Sequence, residues 1–366
     1  MTYFLGLQVK QTDSGIYINQ AKYARNLVKK FGLDKVAHAR TPIAANAKLT
    51  NDPLGEFVDV TLYRTMIGCL LYLTASRPNI AFNVVVCSRF QSNPKILHLN
   101  AIKRIIKYVS GTCDYGLFYS KESNLSLARF FDSDWPDNAD DRKSTTGRCF
   151  YVRLNLVAWM SKKQNSVSLS TAEAKYIAAE SYCSQLLWMK TLLSDYGISQ
   201  DTMVVYCDNS SAIDNSKNPV QHSKTKHIEI RYYFIRDLVE RKIVTLEYIP
   251  TERQNADIFT KPLDRSKFET FRQVIGVILC PWSFLAFMVL VLHRFTLCDY
   301  SSLLSLFLFV FLGFALHNIH AFHSRLFLLF LFNNFFLKKK GRKREANCVL
   351  HYFLRFKIKV GHFIFT

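Results

Sequence analysis

The first third of the chain holds two kinds of apolar spacing. Tyr3 to Val9 and Gly15 to Asn19 are β-rich runs parted by Thr12-Asp13-Ser14-Gly15, which predicts a hairpin with a polar, glycine-containing turn. Ala21, Ala24, Leu27, Val28 and Phe31 then recur at intervals of three and four, predicting a helix that Gly32 ends. Residues 38–58 keep no period and read as a connector. Two or three helices are expected next: Thr61 to Ser76, stopped by Arg77-Pro78, then Ala81 to Phe90, then Ile96 to Ser110, closed by Gly111. Lys103, Arg104 and Lys107 are interleaved with the apolar stripe of the last helix. They read either as a solvated face or as a nucleic-acid contact.

From Leu125 the pattern changes to strands: Leu125 to Asp132, Arg148 to Arg153 and Leu156 to Met160. A long helix, Thr171 to Tyr196, ends at Gly197, and Met203 to Cys207 is a continuous apolar run of the kind that marks a strand covered on both faces. A short helix after Asp208, a longer one from Lys226 to Lys242, a strand Val244 to Ile249 and a last helix near Ala256 complete the set. Three strands, a helix, then strands alternating with helices predict a mixed sheet with helices packed on it, an α/β arrangement.

Composition divides the chain again. From Pro281 to Thr366 it carries 17 of its 30 phenylalanines and 11 Lys/Arg against 2 Asp/Glu, so nearly half of the formal net charge of +20 sits in the tail. Val274 to His293 and Ser301 to Phe322 are uncharged stretches long enough to span a bilayer, and Lys338 to Arg344 would then lie on the cytosolic side. The alternative for this Phe/Leu/Lys-rich tail is translated AT-rich flanking sequence. Residues 1–280 keep a moderate basic excess that suits a polyanionic partner without identifying one. The nine cysteines form no CxxC pair and no Cys/His cluster at zinc spacing, so reduced, mostly buried thiols of an intracellular chain are expected. Met1 to Gly6 lacks the regions of a signal peptide and starts inside an expected strand, as a fragment would.

Four carboxylates stand at strand ends or in the first helical turn after a strand: Asp132, Glu173, Asp208 and Asp257. Singly, each has a structural reading. Ser170-Thr171-Ala172-Glu173 is a capping-box pattern, Asp208 is placed to cap the next helix, Asp257 suits the positive end of a helix behind Asn255, and Asp132, like Asp134, reads as a turn residue beside Asp137, Asp140 and Asp141. Jointly, they can line one sheet edge, where like charges repel unless cations are present. Oxygen ligands select Mg²⁺, with Mn²⁺ a possible substitute, and two ions about 3.5–4 Å apart stabilise both oxygens of a phosphodiester hydrolysis.

The residues around these acids resemble the ribonuclease H domain of copia-type retrotransposon Pol polyproteins. The resemblance is carried by Phe131-Asp132-Ser133-Asp134-Trp135, Asp141 to Gly147, Ser161-Lys162-Lys163-Gln164, Leu169 to Ala174, Tyr206-Cys207-Asp208-Asn209, Thr225-Lys226-His227-Ile228 and Ala256 to Leu263, in one order. Upstream, Tyr3 to Val9, Thr41-Pro42, Tyr63 to Gly68, Leu71-Tyr72-Leu73 and Ser76 to Ile80 resemble the end of the reverse transcriptase and its connection. The resemblance implies an RNase H-like fold and Asp132, Glu173, Asp208 and Asp257 as the catalytic, metal-binding acids. It implies an RNA/DNA hybrid substrate. Lys162 and Lys163, after Trp159, read either as contacts to hybrid phosphates or as a solvated hairpin end, His227 as a substrate contact or a helix start, and Lys226 as a nucleic-acid contact. Four regions are expected: 1–48, the end of a reverse-transcriptase palm; 49–120, a helical thumb or connection; 121–270, the RNase H-like domain; and 271–366, a tail outside the family pattern.

The polymerase signature of that family, Tyr-x-Asp-Asp, occurs nowhere in the chain. Hybrid cleavage without DNA synthesis is therefore expected, with a polymerase half supplied in trans as a possible partner. The competing expectation is an inactive nucleic-acid-binding remnant, membrane-associated if the tail inserts, and otherwise cytoplasmic or nuclear. Two departures from the family bear on activity: Lys175 stands where a second glutamate is usual, and Pro136-Asp137 follows Trp135 where small residues are usual.

Overall fold

The computed structural model describes residues 2–121, 127–134, 141–152, 154–198, 202–217 and 229–280. Strands β1 (Tyr3–Phe4), β2 (Leu7–Thr12) and β3 (Gly15–Asn19) form the expected hairpin with one extra short strand. Helix α1 (Ala21–Lys30) follows, burying Ala21, Ala24, Leu27 and Val28 on one face. Helix α2 (Val60–Leu73) begins where the Asp59 side chain accepts from the Thr61 N–H, and α3 (Ala81–Ser88) and α4 (Ile96–Ser110) complete the helical region that precedes the mixed sheet.

Directly after α4 the chain forms β4 (Tyr115–Ser120), which the sequence reading leaves unassigned. It extends the first sheet by pairing antiparallel with β3. Gly116 is required there: a Cβ at this position would stand 2.3 Å from the Ile18 carbonyl oxygen. Two side chains lock the sheet to the helices. The Tyr17 hydroxyl lies 2.7 Å from the Asp114 carbonyl oxygen, and the fully buried Arg77 donates to the Thr112 carbonyl and hydroxyl, both at 2.7 Å.

The second sheet contains β5 (Leu127–Asp134), β6 (Thr145–Val152) and β7 (Asn155–Lys163) as an antiparallel meander. After α5 (Thr171–Asp195) come β8 (Met203–Cys207), α6 (Ser210–Lys217), α7 (Glu229–Glu240) and β9 (Val244–Tyr248). Strand β8 pairs parallel with both β5 and β9, giving the order β7-β6-β5-β8-β9 with β5 at the centre. This is an RNase H-like mixed sheet flanked by helices, as expected. A 3-10 segment, Asn255–Phe259, leads into α8 (Arg265–Val274) and β10 (Val277–Leu279). Strand β10 returns to the first sheet beside β4, so Val277–Leu279, inside the first of the two uncharged stretches, is strand.

Period-two alternation sorts β5 between two cores. Phe131 faces α5, where the rings of Phe131 and Tyr182 lie 5.6 Å apart and Phe150 stacks on Tyr182 at 4.4 Å. Phe130 faces the other way, stacked on Tyr206, in the core that also holds the first helices and Ala256, Ile258 and Phe259. Each such aromatic side chain removed from water contributes roughly 1.5–3 kcal/mol. Asp132 therefore leaves the sheet on the side covered by the Asn255–Phe259 segment.

Both sheets lie in one compact unit, Met1–Leu285, and the tail beyond it, with its second uncharged stretch, lies outside the described residues. No helix among the described residues is long and apolar enough to cross a membrane. No disulfide joins the described cysteines. Burial pushes the thiols of Cys87, Cys183 and Cys207 up to about 12 and that of Cys149 higher still. Because the thiolate is the reactive form, iodoacetamide at pH 8 is expected to leave these four unmodified in the native chain and to modify them all in urea. Mass spectrometry of the labelled peptides checks this; native labelling at any of the four contradicts the packing described.

Candidate active site

Three carboxyl groups converge from three elements. Asp132 comes from β5, Asp208 from the residue after β8, and Asp257 from the Asn255–Phe259 segment; one oxygen of each lies within 4.8 Å of the others. Asp132 and Asp257 are 1% and 3% exposed, so water does little to separate their charges. The sheet brings the first two together because β5 and β8 are parallel neighbours and present their C-terminal ends side by side. Asp208 does not cap α6: the Asn209 side chain does, accepting from the Ala212 N–H at 2.9 Å.

The third carboxyl depends on Gly147, which pairs with Asp132 across β5 and β6. A Cβ at Gly147 would lie 2.6 Å from Thr260 Cγ2, 2.8 Å from Phe259 Cβ and 2.9 Å from the Ala256 carbonyl oxygen. Its absence lets residues 256–260 descend onto the strand. Thr260 Oγ1 then donates to Asp132 Oδ2 at 2.7 Å, and Asp257 lies beside Asp132.

Two ammonium groups enter the same cluster. Lys175 Nζ lies 2.9 Å from Asp132 Oδ1 and is ion-paired with Asp208 Oδ1; Lys261 Nζ lies 2.9 Å from Asp257 Oδ2 and 3.9 Å from Asp132 Oδ2. Burial alone would raise the Asp132 carboxyl, but Lys175 and then Lys261 outweigh it and hold it below the usual range. Asp257 goes the other way. Burial first, and the Asp132 charge second, push it up to about 8 against the pull of Lys261. Both lysines stay charged, since burial lowers them less than their carboxylate partners, Asp132 foremost, raise them. Thr251 Oγ1 donates to Asp208 Oδ2 at 3.2 Å. Asp257 Oδ1 is buried with no donor among the described residues.

Glu173, the fourth expected acid, lies outside the three-carboxyl cluster. Its Oε2 accepts from the Leu169 N–H at 2.8 Å, while the Ser170 hydroxyl accepts from the Glu173 N–H at 3.1 Å, a variant of the capping box. Two residues along the helix the side chain points elsewhere, so position 175 is the one α5 turns toward the strand ends. Gln164 fixes that approach. Its amide nitrogen lies 3.0 Å from Ser133 Oγ, 3.0 Å from Thr146 Oγ1 and 2.8 Å from the Ala174 carbonyl oxygen, joining β5, β6 and the first turn of α5.

Lys162 is exposed at the end of β7, whereas Lys163 is ion-paired with Asp141. Lys226 and His227, like Trp135 and Pro136, lie outside the described residues. The site roles of Lys175, Lys261, Thr260, Thr251, Gln164 and Gly147 escape sequence reasoning, although Lys261, Thr260, Gln164 and Gly147 sit inside the motifs that carry the resemblance. Chemically, three carboxyls with two buried oxygens that accept no hydrogen bond among the described residues, Asp132 Oδ1 and Asp257 Oδ1, make a hard-oxygen donor set that fits a divalent cation such as Mg²⁺ or Mn²⁺.

No family model matches the chain. Over 280 residues it is 37% identical to the retrovirus-related Pol polyprotein from transposon RE2 of Arabidopsis thaliana, covering 76% of this chain and 19% of that protein. Over 283 residues it is 35% identical to the retrovirus-related Pol polyprotein from transposon TNT 1-94 of Nicotiana tabacum, covering 75% of this chain and 21% of that one. It is also 34% identical over 187 residues to an uncharacterized mitochondrial protein of Arabidopsis thaliana, covering 51% of this chain and 77% of that protein. The chain thus spans about a fifth of the length of the Pol polyproteins it matches. Among solved structures, the N-terminal RNase H domain of a Mycobacterium tuberculosis protein aligns at 11% identity and TM-score 0.29, covering 41% of this chain and 98% of that one. The compost-derived LC11-RNase H1 in complex with RNA/DNA hybrid aligns at 12% identity and TM-score 0.30, covering 37% and 94%. Strand order and register, rather than these alignments, define the fold.

Proposed function

We propose that the chain, homologous over three quarters of its length to retrovirus-related transposon Pol polyproteins, carries a ribonuclease H-type nuclease that hydrolyses the RNA strand of RNA/DNA hybrids. The observation that supports this reading is the convergence of Asp132, Asp208 and Asp257 at adjacent strand ends. These three would hold Mg²⁺ or Mn²⁺; a bound ion supplies charge stabilisation at the phosphodiester and a reactive water. The chain's own residues do the rest. Thr260 and Thr251 orient two of the carboxylates, Gln164 holds α5 against the strands, and Lys162 offers a point charge to a phosphate without reading sequence. Lys226 and His227 are further proposed contacts to the hybrid, whereas Glu173 serves the cap of α5. The Tyr-x-Asp-Asp signature does not occur in this sequence, and the proposal concerns hybrid cleavage alone.

A second reading, a hybrid-binding remnant without turnover, is favoured by one observation, the Lys175 ammonium between two of the three carboxylates. Cleavage of a labelled RNA/DNA hybrid by the full chain separates the two. The nuclease reading expects RNA fragments at millimolar Mg²⁺ or Mn²⁺ and at least about 100-fold less product with Asp208→Asn. Cleavage that the variant retains, or none at any metal concentration, overturns it.

A further inference from the structure

We propose that Lys175 is a built-in counter-ion seated in the cation position of the carboxylate cluster, so that a divalent metal must displace it and the residue at 175 sets the metal affinity of this chain. The inference deepens the nuclease reading and rests on it only for the identity of the carboxyl ligands.

Helical phase places the residue. Glu173 is committed to the cap at Leu169, whereas Lys175 lies on the sheet-facing side of α5 with its side chain only 11% exposed. Its ammonium bridges Asp132 Oδ1 and Asp208 Oδ1, one oxygen from each of two strand-end acids, so it occupies the pair of carboxylates that, with Asp257, would hold a metal. The remaining oxygen of each acid already has a donor, Thr260 on Asp132 and Thr251 on Asp208. The carboxylates of β5 and β8 are therefore neutralised by protein groups alone; among the described residues two buried cluster oxygens accept no hydrogen bond, Asp257 Oδ1 and Asp132 Oδ1, the latter facing Lys175 as an ion pair.

Charge points the same way. Three carboxyls facing two ammoniums leave at most one net negative charge, against which an arriving dication gains little. The two lysines are not equivalent. The Lys261 side chain is 27% exposed and its ammonium has a short path to solvent, whereas Lys175 is enclosed by the helix and both strands. Displacing Lys175 means moving a charged group out of the protein interior, so it is the residue that controls occupancy.

Titration calorimetry of the full chain with MnCl₂, and separately MgCl₂, tests this without reference to activity. The wild-type chain is expected to bind only in the millimolar range. Lys175→Glu, which removes the competing cation and adds a carboxylate, is expected to bind at least about 100-fold more tightly. Lys175→Gln, which removes the charge and adds no acid, should fall between them. Adding Asp208→Asn to Lys175→Glu should abolish the gain and so localise it. If Lys175→Glu is unfolded in chelator and folds on addition of Mn²⁺, followed by circular dichroism, the site has exchanged an internal cation for an external one, as proposed. Wild-type binding as tight as that of Lys175→Glu and Lys175→Gln overturns the inference. A metal-loaded Lys175→Glu chain that leaves hybrid uncut overturns the nuclease reading and leaves the counter-ion role standing.

Discussion

Replacing Lys175 by methionine is expected to destabilise the chain by about 3–5 kcal/mol in the presence of chelator, the cost of removing one partner from a buried ion pair. Methionine keeps most of the length and apolar volume of the lysine stem, so the loss is assigned to charge rather than to a cavity. What remains is Asp132, 1% exposed, with its nearest cation at 3.9 Å, beside an Asp208 that has lost its ammonium. For a domain of this size the melting temperature should fall on the order of 10 °C, read by calorimetry in EDTA. The companion measurement is Lys175→Met with Asp208→Asn. Removing the second charge relieves repulsion, and coupling of roughly 1–2 kcal/mol is expected between the two sites. Strict additivity would mean that the Lys175–Asp208 contact carries no energy.

The second large effect is expected from Gly147→Val. Even the first added carbon would stand 2.6 Å from Thr260 Cγ2 and 2.9 Å from the Ala256 carbonyl oxygen, and valine adds two more. Overpacking of this kind costs about 1–3 kcal/mol where neighbours can shift, and more where backbone must move. Here backbone must move, so a value at or above the upper end is expected from urea denaturation, with Gly147→Ala intermediate. Lifting residues 256–260 also takes the Thr260 hydroxyl off Asp132 and separates Asp257 from the cluster, so metal-dependent hybrid cleavage should fall with the same grading. An alanine variant with wild-type stability would show that the segment is not held where the structure puts it.

Elements that bury a regular stripe are legible in the sequence. Helix α5 and strand β8 fall within a residue or two of where periodicity places them, because Tyr182, Leu186, Met203 and Val205 each have to meet a core. Strand β4 is not legible. It follows helix α4 by four residues and carries Gly116, whose lack of a side chain reads as a break although it answers to the approach of Ile18. Strand β10 has three residues, too few for any period, inside a run that reads as one apolar stretch. At the site, the positions of Asp132, Asp208 and Asp257 at strand ends and turns are visible from the sequence, whereas the distances between them are set by tertiary pairing. Glu173 illustrates the limit well. Local sequence offers it both as a cap and as a ligand, and the hydrogen bond to Leu169 is what its side chain makes. The partners of Lys175 lie 43 positions before it and 33 after it, out of reach of any local rule.

The return of Val277–Leu279 to β4 has a consequence for the order in which the chain is made. Tyr17 lies within hydrogen-bond distance of Ile278, 261 positions later, so the first sheet waits for nearly the whole described chain to be synthesised. The β5–β9 sheet, by contrast, has all its strands by Tyr248. Closing so long a loop is entropically slow even when it is stable once made. On a ribosome the carboxylate cluster can therefore assemble once the Asn255–Phe259 segment emerges, while the antiparallel sheet in front of it stays open on its β4 side until the last strand arrives.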